Sequence, residues 1–338
     1  MERRRAAVLL MGPTGTGKSD LAIRLSREFP LEIVSVDSAM VYRGMDIGTA
    51  KPERDILGTV PHHLIDIRDP AMTYSAGEFV ADAAAAMEDI WRRGRQPLFV
   101  GGTMLYFNAL SEGIAALPEA DVGIRAELDA RAAATGWPDL HRELAGVDPL
   151  AASRISIRDA QRIQRALEVY RLTGQPISRL QQARLSVLAG VQVLELALLP
   201  HDKPALHARL RQRFETMLAK GFLDEVGALR ARGNLTAEHP SMRAVGYRQM
   251  WQHLDGECDL EAASERAIIA TRHLAKRQLT WLRGRPRVHW LAALHPALPS
   301  LMSNALIEGG IFSARLGVTP CAAPVLTFET HRPFGTRK

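Results

Sequence analysis

The sequence of 338 residues contains only two cysteines, Cys258 and Cys321, and has no long apolar run. Two cysteines are too few for a disulfide framework, and neither has the spacing of a metal ligand. No apolar segment approaches the roughly 20 residues that a membrane-spanning helix needs. These absences exclude a disulfide scaffold, a zinc finger and a membrane-spanning protein, and they favour a protein of the reducing cytoplasm.

The first residues, MERRRAAVLLMG, imitate a signal peptide because basic residues precede apolar ones. The apolar run Ala6–Met11 is short, however, and leads into a glycine-rich motif with no cleavage site. We therefore expect this run to be a buried strand.

The composition is that of a globular protein, with 46% apolar and 24% charged residues. The net charge of +6 is unevenly distributed: residues 141–290 contain 24 Lys and Arg against 15 Asp and Glu, and the remainder is slightly acidic. Such asymmetry indicates a polyanionic partner for the basic region, although a solvated arginine-rich surface explains the charge equally well.

Short apolar runs alternate with amphipathic stretches over residues 6–118, which is the pattern of βαβ units in a parallel sheet. Helical periodicity replaces this pattern from Glu119 to about Leu188. The predicted strands are Ala6–Met11, Leu31–Val36, Leu64–Ile67, Pro97–Val100, Val191–Leu199 and Val288–Leu291. The predicted core helices are Lys18–Glu28, Ala76–Arg93, 203–220, 222–232 and 261–283.

Residues 12–19, GPTGTGKS, match the phosphate-binding pattern G-x-x-x-x-G-K-[ST] between a predicted strand and a predicted helix. This segment is called the P-loop. Backbone N–H groups of such a loop bind phosphate oxygens, Lys18 adds a positive charge, and the Ser19 hydroxyl can hold Mg²⁺. The predicted phosphate-binding residues are Gly12, Pro13, Thr14, Gly15, Thr16, Gly17, Lys18 and Ser19. Most such loops serve nucleotide-binding and ATP-binding proteins, so the motif indicates a di- or triphosphate without identifying it.

We therefore predict an α/β fold, a P-loop NTPase-like parallel sheet core with an inserted helical domain. The core comprises residues 1–118 and is completed by 191–292 with its basic helices. The helical insertion comprises 119–190. Residues 293–338 are expected to form a weakly ordered tail, because charge density falls there and the apolar residues show no helical or strand periodicity.

Two polar residues follow core strands, Asp37 after the second strand and Thr103 after Gly101 and Gly102. Ligands of open α/β sheets bind beyond the carboxyl ends of the strands, so both should face the P-loop. Asp37 could hold Mg²⁺ through water, bind a hydroxyl or accept a proton from an amine, and capping of the next turn is the structural alternative. Thr103 replaces the acidic residue of many P-loop NTPases and offers a hydroxyl to a phosphate or an incoming base.

Seven segments together resemble the bacterial tRNA dimethylallyltransferases. They are GPTGTGKS (12–19), DSAMVYRGMDIGTAKP (37–52), HHLIDI (62–67), LFVGGTMLYFNAL (98–110), DAQRIQRALEVYRLTG (159–174), RAVGYRQMW (243–251) and TRHLAKRQLTWLRG (271–284). The resemblance runs in order from about Val8 to Leu291. It departs at Met40, where many relatives carry glutamine, and it does not extend into the segment after about Ala292.

The resemblance implies transfer of a dimethylallyl group from its diphosphate to the N6 amine of an adenosine next to the anticodon, with release of diphosphate. It implies that the P-loop and Mg²⁺ hold the diphosphate, that Arg213 contacts it, that Asp37 is the general base and that Thr103 orients the amine. The base must be flipped out of its stack to reach them. Dimethylallyl diphosphate and the anticodon stem-loop of tRNA are the expected partners of a cytoplasmic monomer.

Three basic stretches support an RNA partner. Arg158, Arg162 and Arg165 share one predicted helix face, and Arg272, Lys276 and Arg283 share another. In the third stretch, Arg243–Arg248, the ring of Tyr247 lies among arginines. This arrangement suits a base stacked on the ring with its phosphates bound by the arginines. One stripe alone is more often a solvated helix face, whereas three in the basic region favour nucleic acid. The predicted tRNA contacts are Asp37, Ser38, Ala39, Met40, Thr103, Arg125, Gln161, Arg162, Ile163, Gln164, Arg165, Arg243, Ala244, Val245, Gly246, Tyr247, Arg248, Lys276, Arg277, Gln278, Leu279, Thr280, Trp281, Leu282 and Arg283.

Two other functions stay open, and both use the P-loop. An isopentenyltransferase for free adenine nucleotide would share Asp37 but would not need the basic helices, so the arginine stripes count against it. A small-molecule kinase or RNA-stimulated NTPase should have an acidic metal ligand after a core strand, and Gly101-Gly102-Thr103 counts against that. The pair His62-His63 is assigned structural roles, because adjacent histidines rarely bind one metal.

Overall fold

The protein is described by a computed structural model that covers residues 5–115, 117–182 and 184–312. Its strands are β1 (Ala6–Met11), β2 (Leu31–Val36), β3 (His62–His63), β4 (Gln96–Gly101), β5 (Gln192–Leu199) and β6 (His289–Ala292). Its helices are α1 (Lys18–Glu28), α2 (Arg54–Thr59), α3 (Ala76–Arg92), α4 (Met104–Glu112), α5 (Val122–Thr135), α6 (Trp137–Val147), α7 (Pro149–Ala152), α8 (Ala160–Thr173), α9 (Ile177–Leu180), α10 (Lys203–Ala219), α11 (Phe222–Ala231), α12 (Tyr247–Leu254), α13 (Leu260–Arg283) and α14 (Leu298–Glu308).

The strands form one parallel six-stranded sheet in the order β3-β2-β4-β1-β5-β6. Every residue of β1, β2 and β4 is buried, because helices cover both faces of a parallel sheet, and this explains why the three strands are almost entirely apolar. The predicted parallel α/β core is confirmed. The predicted strands at residues 6–11 and 31–36 and the predicted helix at 18–28 match β1, β2 and α1 to the residue.

One predicted strand is wrong. Leu64–Ile67 does not form a strand, and the short edge strand β3 lies just before it at His62–His63. Leu64 and Asp66 have φ angles of 64° and 57°, in the left-handed region, so the chain turns there instead of extending along β2.

The prediction of an irregular tail from residue 293 is wrong for residues 298–308, which form α14. Apolar residues of this helix, among them Met302 and Leu306, join the same core cluster as Leu21 and Leu25 of α1. The part of the predicted tail from residue 313 onward, which includes Cys321, lies outside the described residues.

The chain divides into two compact units, one of residues 1–107 with 190–338 and one of residues 108–189. The sequence placed the start of the helical insertion at residue 119, and helix α4 crosses the boundary at 107. The second unit packs helices around an apolar core that includes Leu128, Leu144 and Ile163. In no described segment is there a helix with the length and apolarity that a membrane span requires.

Candidate active site

The P-loop connects β1 to α1 at the carboxyl edge of the sheet. Gly15 and Gly17 have φ angles of 83° and 80°, so a side chain at either position would be strained. The hydroxyl of Thr16 and the amine of Lys18 both donate to the carbonyl of Pro13, at 2.8 and 2.6 Å. These contacts close the turn from within and place the lysine amine against the loop.

A cavity of about 460 Å³ adjoins the P-loop. It brings together four of the residues that the sequence singled out, which are Thr14, Asp37, Thr103 and Arg213. They come from the P-loop, the segment after β2, the segment after β4 and helix α10. The position of these side chains follows the rule that the carboxyl ends of parallel strands bound the ligand site.

Arg213 spans the cavity wall. Its guanidinium donates to the hydroxyl of Thr14 at 3.2 Å and to the carbonyl of Thr49 at 3.4 Å. Burial lowers the pKa of Arg213, with Asp37 acting in the opposite direction. Leu206, Leu210 and Phe214 form the buried face of α10, and all three are below 8% exposure.

Asp37 both caps a turn and faces the cavity. Its Oδ1 accepts the N–H groups of Ala39 and Met40, at 2.8 and 3.2 Å, which is the capping alternative of the sequence analysis. Within the described residues no hydrogen bond to Oδ2 is found. The Thr103 hydroxyl oxygen accepts the N–H of Ser38 at 3.2 Å, so its own proton stays available to a ligand. One carboxylate oxygen and one hydroxyl donor therefore face the same space.

The cations of the site oppose one another. Loss of hydration around the Lys18 amine, followed by repulsion from Arg213, lowers the pKa of Lys18 from 10.5 to about 7, although Asp37 acts in the opposite direction. An anion bound beside both cations would remove this repulsion, because it favours the charged form of the amine. The electrostatics of the cavity therefore suit a phosphate ligand.

Glu225 of α11 fixes one wall of the cavity, and this residue was not among those predicted from the sequence. Its carboxylate accepts the backbone N–H groups of Asp46, Ile47 and Gly48 at 2.7–3.1 Å. It also accepts the hydroxyl of Tyr247 at 2.5 Å. Because Thr49 follows directly and binds Arg213, Glu225 helps to position that guanidinium. The motif MDIGTAKP (45–52) therefore forms a loop whose backbone N–H groups are bound by one carboxylate.

The glycine of that loop is required by packing. A Cβ atom on Gly48 would lie 2.1 Å from the ring of Phe222. Tyr247 packs edge-on against Phe222, with ring centroids 5.0 Å apart, and is fully buried. The prediction that Tyr247 stacks on a splayed base is therefore wrong, since its ring and hydroxyl are both used inside the protein.

The IPP transferase family model matches residues 40–285. This chain belongs to that family. It is 58% identical over 281 residues to the tRNA dimethylallyltransferase of Bordetella petrii, covering 82% of this chain and 90% of the relative. It is 54% identical over 310 residues to the tRNA dimethylallyltransferase of Ralstonia nicotianae, covering 89% and 96%. The family resemblance stated from the motifs is confirmed.

Solved structures of similar fold include members of the same family. The tRNA isopentenylpyrophosphate transferase of Bacillus halodurans has a TM-score of 0.64 at 34% identity, covering 91% of this chain and 99% of that one. A eukaryotic dimethylallyltransferase acting on tRNA has a TM-score of 0.74 at 27% identity, covering 91% and 79%.

In this IPP transferase, the predicted RNA-contacting residues of the first unit differ in exposure. Arg243, Arg248, Lys276, Arg277, Thr280, Trp281 and Arg283 are exposed, whereas Gly246, Tyr247, Gln278 and Leu282 are buried. Trp281 is 45% exposed and lines the cavity, so it is an accessible aromatic ring where the sequence analysis expected Tyr247. Ser38 is exposed, and Ala39, Met40, Ala244, Val245 and Leu279 are partly buried.

In the second unit, some of the predicted RNA-contacting side chains are exposed, and others are paired with residues of the protein or buried. Gln161 and Arg162 are exposed. Arg125 and Arg165 both pair with Glu168, a fully buried carboxylate, at 2.8 and 2.6 Å. The Gln164 amide donates to Asp129 at 2.7 Å. The side chain of Ile163 is fully buried, so the prediction that it contacts tRNA is wrong for this side chain.

The histidine pair has structural partners. The Nδ1 atom of His62 lies 2.7 Å from the carbonyl of Val60, and Nε2 of His63 lies 2.8 Å from Glu32. Both contacts lie at the β3 edge of the sheet, away from the cavity residues named above. These partners agree with the structural roles that the sequence analysis assigned.

We expect the binding of inorganic diphosphate to take up a proton above pH 7. In the protein without diphosphate, Lys18 loses its proton as pH rises through about 7. A bound anion raises the pKa of the amine in the complex. Affinity should therefore be highest below pH 7 and fall by up to about tenfold per pH unit above it. Calorimetry in buffers of different ionisation enthalpy measures this uptake.

Lys18→Met is the control for that measurement, because the ligand's own titration is the same in both proteins. The variant should bind more weakly and lose the additional slope. Equal slopes for the two proteins would contradict the assignment of the proton to Lys18.

Proposed function

We propose that this protein transfers a dimethylallyl group from dimethylallyl diphosphate to the N6 amine of an adenosine next to the anticodon in tRNA, with release of diphosphate. The observation that carries the proposal is that Asp37 and Thr103 line one cavity with Thr14 and Arg213. This arrangement supports a reaction in which a base and an orienting hydroxyl act beside a bound diphosphate. Relatives that are 54–58% identical are named tRNA dimethylallyltransferases.

The bond that breaks joins the allylic C1 carbon to the diphosphate oxygen, and the bond that forms joins C1 to N6 of adenine. Negative charge collects on the departing diphosphate, so Arg213, Lys18 and the P-loop N–H groups stabilise the transition state. The N6 amine loses a proton, which Oδ2 of Asp37 accepts. The Thr103 hydroxyl donates a hydrogen bond to a ring nitrogen of the adenine and orients the amine.

A magnesium ion fits this donor set. Mg²⁺ commonly takes one or two protein ligands and fills its remaining positions with phosphate oxygens and water. The Ser19 hydroxyl is exposed in the first turn of α1, directly after Lys18. Among the described residues no group of three or more His, Cys, Asp or Glu could hold a metal alone, so the diphosphate would complete the site. When bound, the ion neutralises charge on the leaving diphosphate.

The adenine is proposed to enter by being flipped out of its stack, since N6 in a stacked loop is not reachable. Trp281 and Arg277 of α13 line the cavity and are exposed, so they can receive the base and a neighbouring phosphate. Arg162 of α8, with a 64% exposed side chain, is a candidate phosphate contact of the helical unit. The monomeric state and the cytoplasmic location stay predictions.

We expect Asp37→Asn to reduce transfer by about 10²–10⁴-fold, the usual contribution of a general base, while tRNA affinity stays nearly unchanged. Asparagine retains an oxygen that can accept the N–H groups of Ala39 and Met40, but it cannot accept a proton. Incorporation of labelled dimethylallyl into tRNA measures turnover, and filter binding measures affinity.

Asp37→Ala provides the comparison, because it removes both the base and the cap. Both variants should show at least this loss of transfer if proton transfer is the role of Asp37. Near-normal turnover of Asp37→Asn with an inactive Asp37→Ala would reduce Asp37 to a turn cap.

We expect Trp281→Ala to weaken tRNA binding by about 1–3 kcal/mol, the value of one stacked base, with no change in its salt dependence. Arg162→Ala should instead lower the salt slope by about one unit, because a phosphate contact is lost. Binding isotherms from 50 to about 200 mM salt separate the two effects.

Tyr247→Phe is the matched aromatic control. It removes the hydroxyl that binds Glu225, so it should lower the free energy of unfolding while tRNA affinity stays unchanged. A larger loss of tRNA affinity in Tyr247→Phe than in Trp281→Ala would contradict the proposal that Trp281, and not Tyr247, is the aromatic ring that stacks on the base.

A further inference from the structure

We propose that Gln278 is a positioning residue that fixes the P-loop against the end of β4 and so sets the affinity for diphosphate. Gln278 was predicted from the sequence to contact tRNA, as part of the segment Lys276–Arg283. The inference deepens the proposed function and rests on it only in taking the P-loop as a diphosphate cradle.

The side-chain amide of Gln278 links three distant segments. It extends from α13, its Oε1 accepts the backbone N–H of Thr14 at 2.9 Å, and its Nε2 donates to the carbonyl of Gly102 at 2.9 Å. The residue is 8% exposed. Both polar atoms of the amide are therefore used inside the protein, whereas its neighbours Lys276 and Arg277 are exposed.

The absence of a side chain at residue 102 follows from the same contact. A Cβ atom on Gly102 would lie 2.3 Å from Nε2 of Gln278, far inside contact distance, and the φ angle of Gly102 is not in the left-handed region. At Gly101 a Cβ atom would lie 2.0 Å from the carbonyl oxygen of Val36. The glycine pair therefore leaves room for the Gln278 side chain at residue 102 and for the neighbouring strand β2 at residue 101.

Gln278 holds Thr14 together with Arg213. Gln278 accepts the N–H of Thr14, and Arg213 donates to its hydroxyl at 3.2 Å. This double attachment fixes the middle of the P-loop before any ligand binds. Preorganised donors bind and stabilise charge better than donors that must be ordered during binding. Loss of the amide should thus weaken binding of diphosphate more than it slows the chemical step.

Binding of inorganic diphosphate with Mg²⁺, measured by calorimetry, tests the inference without any transfer reaction. We expect Gln278→Ala and Gln278→Met to raise the dissociation constant about tenfold, since the Thr14 N–H loses its partner. Methionine is similar in size and has no amide, so it separates the hydrogen bonds from a packing defect. In the transfer assay, the KM for dimethylallyl diphosphate should rise by a similar factor and kcat should change little.

Gly102→Ala supplies an independent route to the same state, because the new methyl group would displace the Gln278 amide. Alone it should weaken diphosphate binding at least as much as Gln278→Ala. In the Gln278→Ala background its effect should be much smaller, because the obstructed side chain is gone and only the contact with the Gly12 carbonyl oxygen, at 3.3 Å, remains. Multiplicative effects of the two substitutions would overturn the inference.

Gln96→Leu is the matched control for stability. Gln96 is also a glutamine with 8% exposure whose Oε1 accepts a backbone N–H, that of Ala6, but it lies at the amino-terminal end of β4. It should lower the free energy of unfolding and leave the affinity for diphosphate unchanged. A loss of affinity in Gln96→Leu equal to that in Gln278→Met would show general loosening of the fold and would overturn the positioning role.

The outcomes separate this inference from the proposed function. Wild-type affinity for diphosphate in both Gln278 variants would overturn the inference and leave the transferase proposal intact. Weakened binding in the variants, with no transfer of label to tRNA by the wild-type protein, would support the inference and overturn the proposed function. No binding of diphosphate by the wild-type protein would overturn both.

Discussion

Burial of two neighbouring cations is the constraint on which the rest of the site depends. Burial lowers the pKa values of both Lys18 and Arg213, repulsion from Arg213 lowers that of Lys18 further, and Asp37 is the carboxylate that acts on both in the opposite direction. Such an arrangement is unfavourable without a ligand and becomes favourable when an anion enters. A diphosphate supplies that anion. Because its charge rises as the allylic bond breaks, the same cations that bind the substrate also stabilise departure of the product.

Keeping these groups in place requires ties between distant parts of the chain. Glu225 holds the loop after β2 through three backbone N–H groups, and that loop supplies the carbonyl that accepts from Arg213. Gln278 holds the P-loop and the end of β4. The C-terminal part of the chain thus contributes few groups to the chemistry but positions many of them. The site lies at the carboxyl edge of the sheet, and residues of helices α10, α11 and α13 fix the loops that line it.

The sequence predicted the core well because its signals are local. Fully buried strands are continuous apolar runs, and a P-loop has a fixed spacing between a strand and a helix. The strand predicted at Leu64–Ile67 failed because two residues there adopt left-handed backbone angles that no local pattern announced. Helix α14 was missed because its apolar residues are interspersed with small ones and carry little charge contrast.

The errors at the site have a different cause. Tyr247 was taken as exposed because arginines flank it, yet Tyr247, Met250 and Trp251 recur at helical spacing and form the buried face of α12. Gln278 likewise lies on the stripe formed by Ala275 and Leu282. A polar residue on an apolar stripe signals a buried hydrogen bond, but its partners, 176 and 264 residues away, are visible only in three dimensions. The same holds for Glu168, whose pairing with Arg125 and Arg165 changes how those two arginines are interpreted.

The most direct test of the central claim is a transfer assay with labelled dimethylallyl diphosphate and Mg²⁺, in which unmodified tRNA and free AMP are offered as acceptors in parallel. We expect label to enter tRNA alone, at the adenosine next to the anticodon, and diphosphate to be released in equal amount. Label in AMP would place the acceptor outside RNA. No label in either acceptor, together with turnover of ATP, would mean that the P-loop serves a nucleotide and that the proposed reaction is wrong.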